Sequence, residues 1–380
     1  MKLISARLFA ALAISTGVFV TAPSSAATSS VGSSGAAATA RFKAGELSRQ
    51  TSSASAGLRN HGNTDIRILV WYPAATSEVE SPVGAGPTER PLFLPGAIAS
   101  QAAFADHRKR PLILLSHGFG GTARQMTWLG TALARSGYLV VAVDHPGTNG
   151  VDGITAEGTY APWERVGDLT AALHLVLEDP VIGSHVDRDR MGVAGFSMGG
   201  FTASLTVGAR ADFSNFIAFC RSPKRDATCN KQVEFPADYS QMATTLDVPV
   251  MSGVRSREKA DWQDARIKAA FMMAPALGTA LDVASLRQIR LPVAVVYGTA
   301  DGIVPPESNA LVIGHSIPEA TLIPLPGVEH YDFLSECSDA ARGDGIVYCV
   351  DGKGTTRKAT HERTSAAAID FFDAALHFER

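Results

Sequence analysis

Apolar positions in this chain gather into short hydrophobic runs separated by stretches of helical period. Ile66-Arg67-Ile68-Leu69-Val70-Trp71-Tyr72-Pro73 is rich in β-branched and aromatic residues and stops at a proline, which predicts a strand. A Pro/Gly-rich connection follows. Pro111-Leu112-Ile113-Leu114-Leu115-Ser116 and Tyr138-Leu139-Val140-Val141-Ala142-Val143 are continuous apolar runs next to glycines, the pattern of strands covered on both faces. Between them, Thr122 to Ser136 is compatible with a helix that Gly137 ends. Trp163 to Leu177 sets Val166, Leu169, Leu173 and Leu177 at helical spacing, and Arg190 to Gly195 returns to strand. After a helix from about Met198 to Gly208, the rhythm is lost over 211–264, a polar stretch that reads as an insertion above the sheet. It resumes in Ile267–Ala274, Leu291–Tyr297, a helix near Pro306–Ile317, and Thr321–Leu325. A last helix covers about Glu362 to Phe378, with Ala366, Ile369, Phe372, Ala375 and Leu376 on one side. Such alternation requires parallel strands joined by helical crossovers, within one α/β domain over 42–380.

The amino-terminal segment reads as an address. Lys2 and Arg7, the apolar run Leu8 to Val20, and Thr21-Ala22-Pro23-Ser24-Ser25-Ala26 are the charged, apolar and small-residue parts of a secretory signal over 1–26, with cleavage near Ala26. The apolar run falls short of the roughly 20 residues that a membrane span needs. Residues 27–41 are mostly Ala, Ser, Thr and Gly, a flexible leader. The expected location is outside the cell or in the periplasm, with no integral membrane segment after cleavage. Across the 380 residues, 46% are hydrophobic and 19% charged, which suits a folded core; 34 Lys and Arg against 37 Asp and Glu, with no basic run, argue against a nucleic-acid partner. No repeat unit recurs. Oligomeric state is not legible.

The cysteines are four, Cys220, Cys229, Cys337 and Cys349. An even number in an exported chain favours disulfides over a metal site, and their spacing matches no zinc pattern. Of three pairings, Cys220 with Cys229 and Cys337 with Cys349 is preferred, because each closes a short loop. Buried thiols are the alternative.

Gly195-Phe196-Ser197-Met198-Gly199-Gly200 lies between a predicted strand and a predicted helix, the context in which a G-x-S-x-G match carries meaning. A nucleophile at the apex of so sharp a turn has strained backbone angles, and side chains at Gly195 or Gly199 would collide across it. Ser116-His117-Gly118-Phe119-Gly120-Gly121 follows an earlier buried strand, which assigns the backbone amides of Phe119 and Met198 to an oxyanion hole, with the Phe119 ring as an apolar wall. A serine hydroxyl needs a base, and the base an acid that fixes its tautomer. Asp301, in Tyr297-Gly298-Thr299-Ala300-Asp301, follows a buried strand, and His330, in Pro326-Gly327-Val328-Glu329-His330, follows the final strand, in the order Ser, Asp, His. The catalytic assignment is therefore Ser197, Asp301 and His330, with no cofactor and no metal.

Other residues compete for these roles. His145, after another strand, is a weaker candidate base; His117 reads as a structural hydrogen-bonder; Asp144 as a loop stabiliser; Glu329 and Asp332 as solvated surface acids. Trp128 and Trp163 sit on elements near the expected pocket edge. Phe213, Phe216, Ile217 and Phe219 either face the cleft from a lid over 211–264 or pack the insertion down, the second being preferred.

Together these motifs resemble the α/β-hydrolase superfamily, and more narrowly bacterial proteins similar to platelet-activating-factor acetylhydrolases and called dienelactone-hydrolase-like. The resemblance rests on His117–Gly121, Val143–Gly147, Gly195–Gly200, Gly298–Asp301 and Gly327–Phe333, and spans about 66–377. It implies the α/β-hydrolase fold, a mostly parallel central sheet flanked by helices. True dienelactone hydrolases use cysteine where this chain has Ser197. A second resemblance is to cutinase-like polyester hydrolases, through the aromatic residue two positions after His117, the Ser197-Met198 pair and a terminal cysteine pair. Where those enzymes place a tryptophan, this chain reads Met272-Met273-Ala274-Pro275-Ala276. The implied activity is cleavage of carboxylic esters, the substrate a small-molecule, lipid or polyester-like ester. The same triad would also serve an amidase, peptidase or thioesterase, and the fold a non-catalytic binding protein. Because an imidazole base must be neutral, activity is expected to fall in acid.

Overall fold

The computed structural model describes residues 41–231, 241–352 and 354–379. The expected signal segment, all but Arg41 of the leader, and 232–240 of the insertion lie outside the described residues.

Eleven strands form one sheet. In chain order its strands are β1 (Lys43–Ser52), β2 (Asp65–Ala74), β3 (Ser81–Ala85), β4 (Phe93–Ser100), β5 (Arg110–Ser116), β6 (Leu139–Val143), then, after the small pair β7 (Thr148–Asn149) and β8 (Gly153–Ile154), β9 (Val186–Phe196), β10 (Ile267–Met273), β11 (Val293–Gly298), β12 (Thr321–Leu325) and β13 (Glu336–Cys337). The order across the sheet is β12-β11-β10-β9-β5-β6-β2-β1-β4-β13, with β3 on β4. From β12 to β6 every ladder is parallel; β2 pairs antiparallel with β6, and β1 antiparallel with β2. The apolar runs explain the centre: every residue of β5 and β6 is buried. Each large side chain so covered contributes about 1.5–3 kcal/mol.

Helices Arg165–Glu178 and Met198–Thr206 cover one face, and helices Thr127–Arg135 and Arg357–Ala375 the other, so that two apolar clusters sandwich the sheet. The last helix begins five residues before the expected start, because the Thr356 hydroxyl caps it by accepting from the Ala359 amide at 3.2 Å. Among the described residues no helix is long and apolar enough to cross a membrane.

The expectation for the segment after Pro73 requires correction. It contains β3 and β4, and a further strand, β1, precedes Ile66. Pro82, Gly84, Pro95 and Gly96 interrupt any apolar alternation in β3 and β4. Such residues are tolerated there because these strands lie toward the sheet edge, where few ladder bonds are required.

Phe213 and Phe216 of the insertion pack down, while Ile217 and Phe219 are half-buried. Phe213 and Phe216 are buried, Phe213 lying edge-on to Trp163 at 5.7 Å and to Phe201 at 6.1 Å. Trp163 donates through Nε1 to the Val254 carbonyl at 3.1 Å. Cys220 is bonded to Cys229 and Cys337 to Cys349.

Candidate active site

The chain runs from β5 to β6 on one side and then crosses to β9 on the other side of β5, so β5 and β9 are neighbours from which connections diverge. Such a switch point opens a crevice beyond the carboxyl ends of the strands. Ser197 follows β9 directly, and the turn 117–121 follows β5.

Ser197 has φ 54° and ψ −117°. This strained conformation is held by a hydrogen bond from its amide to the Met273 carbonyl (2.9 Å) and by three amides, of Gly200, Phe201 and Ala276, that donate to its carbonyl. A Cβ on Gly195 would stand 2.0 Å from the Gly199 carbonyl oxygen, and one on Gly199 2.0 Å from that of Ser116. No side chain fits at either position. In the facing turn Gly120 has φ 66°, which glycine adopts without strain.

The structure brings Ser197, His330 and Asp301 together. His330 Nε2 lies 3.0 Å from Ser197 Oγ, and Nδ1 lies 2.7 Å from Asp301 Oδ2. The carboxylate only accepts, so Nδ1 carries the proton and Nε2 is free to accept from the serine hydroxyl. Asp301 is held by the amides of Ile303 (3.1 Å) and Val304 (2.8 Å) on Oδ1. Phe196 backs the imidazole at 5.0 Å. All three side chains are nearly buried; Ser197 and His330 line a cavity of about 1010 Å³, as do Phe119 and Met198, with Asp301 behind the imidazole. Met198 opens its helix, so its amide has no acceptor within that helix.

His145, the weaker candidate base, stands elsewhere. Its Nε2 is 2.9 Å from Ser116 Oγ and its Nδ1 3.0 Å from Asp168 Oδ2, a second Ser–His–Asp chain. All three of its members are fully buried and none lines the cavity. Arg59 pairs with Asp168 at 2.6 Å. His117 accepts the His145 amide on Nε2 (3.1 Å) and donates from Nδ1 to the Gly118 carbonyl (2.6 Å). Burial pushes both histidines well below the usual imidazole range, aided by the nearby Arg165 cation. Burial also pushes the Asp168 carboxyl up, against the pull of Arg59.

Arg165, Asp168 and Arg59 were not anticipated. The signal was available: Arg165 and Asp168 fall on the buried stripe of helix Arg165–Glu178, beside Val166 and Leu169 and on the same face as Ala172 and Leu173. Charges at core spacing mark a buried polar network.

The remaining expected residues meet different outcomes, and the Asp332 reading is corrected. Asp332 is fully buried rather than solvated: Oδ2 accepts the Glu329 amide at 2.8 Å and Oδ1 the Gly352 amide at 3.0 Å, holding the turn that carries His330. Glu329 is exposed. Trp128 and Trp163 line no part of the cavity; Trp128 stacks on His361 at 4.1 Å, and Trp163 lies in the core. Asp144 accepts the Ala123 amide at 2.7 Å and pairs with Arg67 at 2.9 Å.

One end of the cavity is aromatic. Phe93 and Tyr348 stack at 5.9 Å, and Tyr348 lies edge-on to Tyr331 at 6.3 Å, next to His330. The disulfide Cys337–Cys349 anchors Tyr348 to β13. Among the described residues no group of three His, Cys, Asp or Glu converges to hold a metal ion.

A mostly parallel sheet flanked by helices, with a serine at a strained strand-to-helix turn beside its switch point, is the α/β-hydrolase fold. Comparison with known proteins agrees. A family model described as serine aminopeptidase, S33, matches residues 107–235, a stretch that includes both Gly-rich turns but neither Asp301 nor His330. Cutinase est2 of Thermobifida alba is 33% identical over 107 residues, 28% of this chain and 32% of that protein. Cutinase 2 of Thermobifida cellulosilytica is 31% identical over 107 residues, 28% of this chain and 37% of the relative. The matches thus span about a third of the length of these curated relatives. A ferulic acid esterase from Streptomyces cinnamoneus superposes with a TM-score of 0.58 at 20% identity, covering 90% of this chain and 92% of that one.

Proposed function

We propose that the protein is a secreted serine hydrolase that cleaves carboxylic esters through an acyl-enzyme, an α/β-hydrolase of the bacterial platelet-activating-factor acetylhydrolase-like kind. Ser197 Oγ attacks the ester carbonyl as His330 Nε2 takes its proton. The amides of Phe119 and Met198 receive the oxyanion. His330 then returns the proton to the departing alcohol, and water, activated by the same imidazole, releases the acid. Asp301 keeps the imidazole in the required tautomer. The hydrogen-bonded chain from Ser197 and His330, which line the cavity, to Asp301 behind them is the observation that carries this reading. The local similarity to cutinases supports the ester as the scissile bond.

The wall of Phe93, Tyr331, Tyr348, Leu92 and Leu334 fits a bulky, uncharged group. An aminopeptidase activity, which the description of the family model raises, fits less well. Among the described residues lining the cavity there is no carboxylate to receive an amino terminus. Amide and thioester cleavage are arms of the same assay.

A fluorophosphonate probe should label Ser197, and Ser197→Ala should stay folded while losing turnover of p-nitrophenyl esters by several orders of magnitude. A p-nitroanilide should be cleaved far more slowly than the matching ester. Turnover surviving in Ser197→Ala would refute the assignment. Export is checked separately: protein recovered from the medium or periplasm should begin just after Ala26.

A further inference from the structure

We infer that Arg165 is a positioning residue for the oxyanion hole: its buried guanidinium ties the turn bearing Phe119 to the helix bearing Met198 and keeps behind both a positive charge with no direct ion pair. The inference rests on the ester-hydrolase reading above and extends it to a residue that touches neither substrate nor triad.

The contacts of Arg165 lead to both halves of the hole. Nη2 donates to the His117 carbonyl, two residues before the Phe119 amide, and to Ser116 Oγ at 3.3 Å. Nη1 donates to Thr148 Oγ1 at 3.0 Å, and the Thr148 carbonyl in turn accepts the Gly120 amide at 3.0 Å. Nε donates to Thr202 Oγ1 at 3.2 Å, and that hydroxyl donates to the Met198 carbonyl at 3.0 Å. One planar group therefore holds strand end, turn and helix together. A lysine, with a single nitrogen, could not span these partners.

The charge is unusual in its surroundings. Arg165 is fully buried, and among the described residues no carboxylate lies within ion-pair distance of it. The nearby Asp168 is engaged by Arg59 and His145 and favours the Arg165 cation only through space, beyond ion-pair distance. Every partner of the guanidinium is neutral. Burial lowers its pKa to about 9, so it remains a cation at neutral pH. Burying a charge without a direct ion pair is costly. A neutral ester supplies no countercharge, whereas the tetrahedral intermediate does. The interaction is then stronger in the transition state than in the ground state, which raises kcat rather than lowering KM.

The test uses the full-length chain carrying Arg165→Met, Arg165→Lys or Thr202→Val. Turnover of p-nitrophenyl butyrate is measured beside inhibition by phenylboronic acid, which forms a tetrahedral anion on the serine. Arg165→Met should lower kcat about 100-fold, with KM within about threefold, as losing a donor of an oxyanion hole does. The inhibition constant for the boronic acid should rise in parallel. Arg165→Lys should lie between, because charge is kept and the fork lost, and Thr202→Val should lower kcat several-fold. A folded Arg165→Met with kcat within threefold of the parent, a loss confined to KM, or an unchanged boronic acid affinity would overturn the inference. Should Arg165→Met or Arg165→Lys not fold, Thr202→Val decides: unaltered kcat and boronic acid affinity in that variant reject the clamp. If instead the parent protein neither takes up fluorophosphonate at Ser197 nor hydrolyses esters, the ester-hydrolase reading is what fails.

Discussion

At the scale of single residues, the site depends on strain held in place by hydrogen bonds. A serine at φ 54° and ψ −117° costs about 1–3 kcal/mol, and its carbonyl is held by the amides of Gly200, Phe201 and Ala276. Gly199 is the most vulnerable partner, because any Cβ there meets the Ser116 carbonyl oxygen. Gly199→Ala should therefore lower the melting temperature by several degrees and abolish fluorophosphonate labelling, while an alanine at the open, exposed Gly302 should change neither; thermal melts with gel-based labelling check both. Asp301→Asn should keep the fold and reduce kcat by about 10³–10⁴, because an amide can donate to Nδ1 and stabilise the wrong tautomer. Ser197, Asp301 and His330 were legible as candidates because each follows a segment whose pattern reads as a strand, in the order Ser, Asp, His. Arg165 was not: its meaning comes from His117 and Thr202, residues distant in sequence.

At the scale of elements, the helix Arg357–Ala375 carries a pH-sensitive contact. His361 lies against Trp128 and donates from Nε2 to the Leu334 carbonyl at 2.9 Å, and burial lowers its pKa to about 4. In the unfolded chain an imidazole titrates near 6.5. Below that pH the unfolded state binds a proton that the native state refuses, so stability should fall as pH drops from about 6.5 toward 4, and level off beneath. The full effect is about 3 kcal/mol, and buried His117 and His145 act in the same direction. Melting curves at pH 7.5, 5.5 and 4.5 should show this slope, and His361→Gln should flatten it; an identical slope in the variant would assign acid sensitivity to other groups. This contact was invisible in the sequence, where His361 precedes the predicted helix start. Likewise β3 and β4 left no periodic signature, because Pro82, Gly84, Pro95 and Gly96 interrupt their apolar alternation, which short, irregular pairing near the end of the sheet tolerates.

At the scale of the whole molecule, the cavity joins segments that the chain keeps far apart. Phe119 arrives after β5, Ser197 after β9, His330 and Tyr331 after β12, and Phe93 and Tyr348 from β4 and the disulfide-closed loop. Tyr348→Ala should raise KM for p-nitrophenyl decanoate more than for the acetate, because it removes apolar contact area from one wall only. Cys337→Ser with Cys349→Ser should lower the melting temperature and move chain-length preference the same way. A preference unchanged in both would place the acyl chain elsewhere in the cavity.

Local chemistry by itself determined the strand-helix alternation, the strained serine turn and the order Ser, Asp, His, because buried strands, sharp turns and hydrogen-bonding side chains must be written as residue types in fixed spacing. Tertiary structure alone decided that His145 joins Ser116 and Asp168, which wall lines the cavity and where the Arg165 guanidinium sits. Those outcomes depend on distances between residues remote in the chain, and burial, which sets their charge and hydrogen bonding, exists only once the sheet has closed over them.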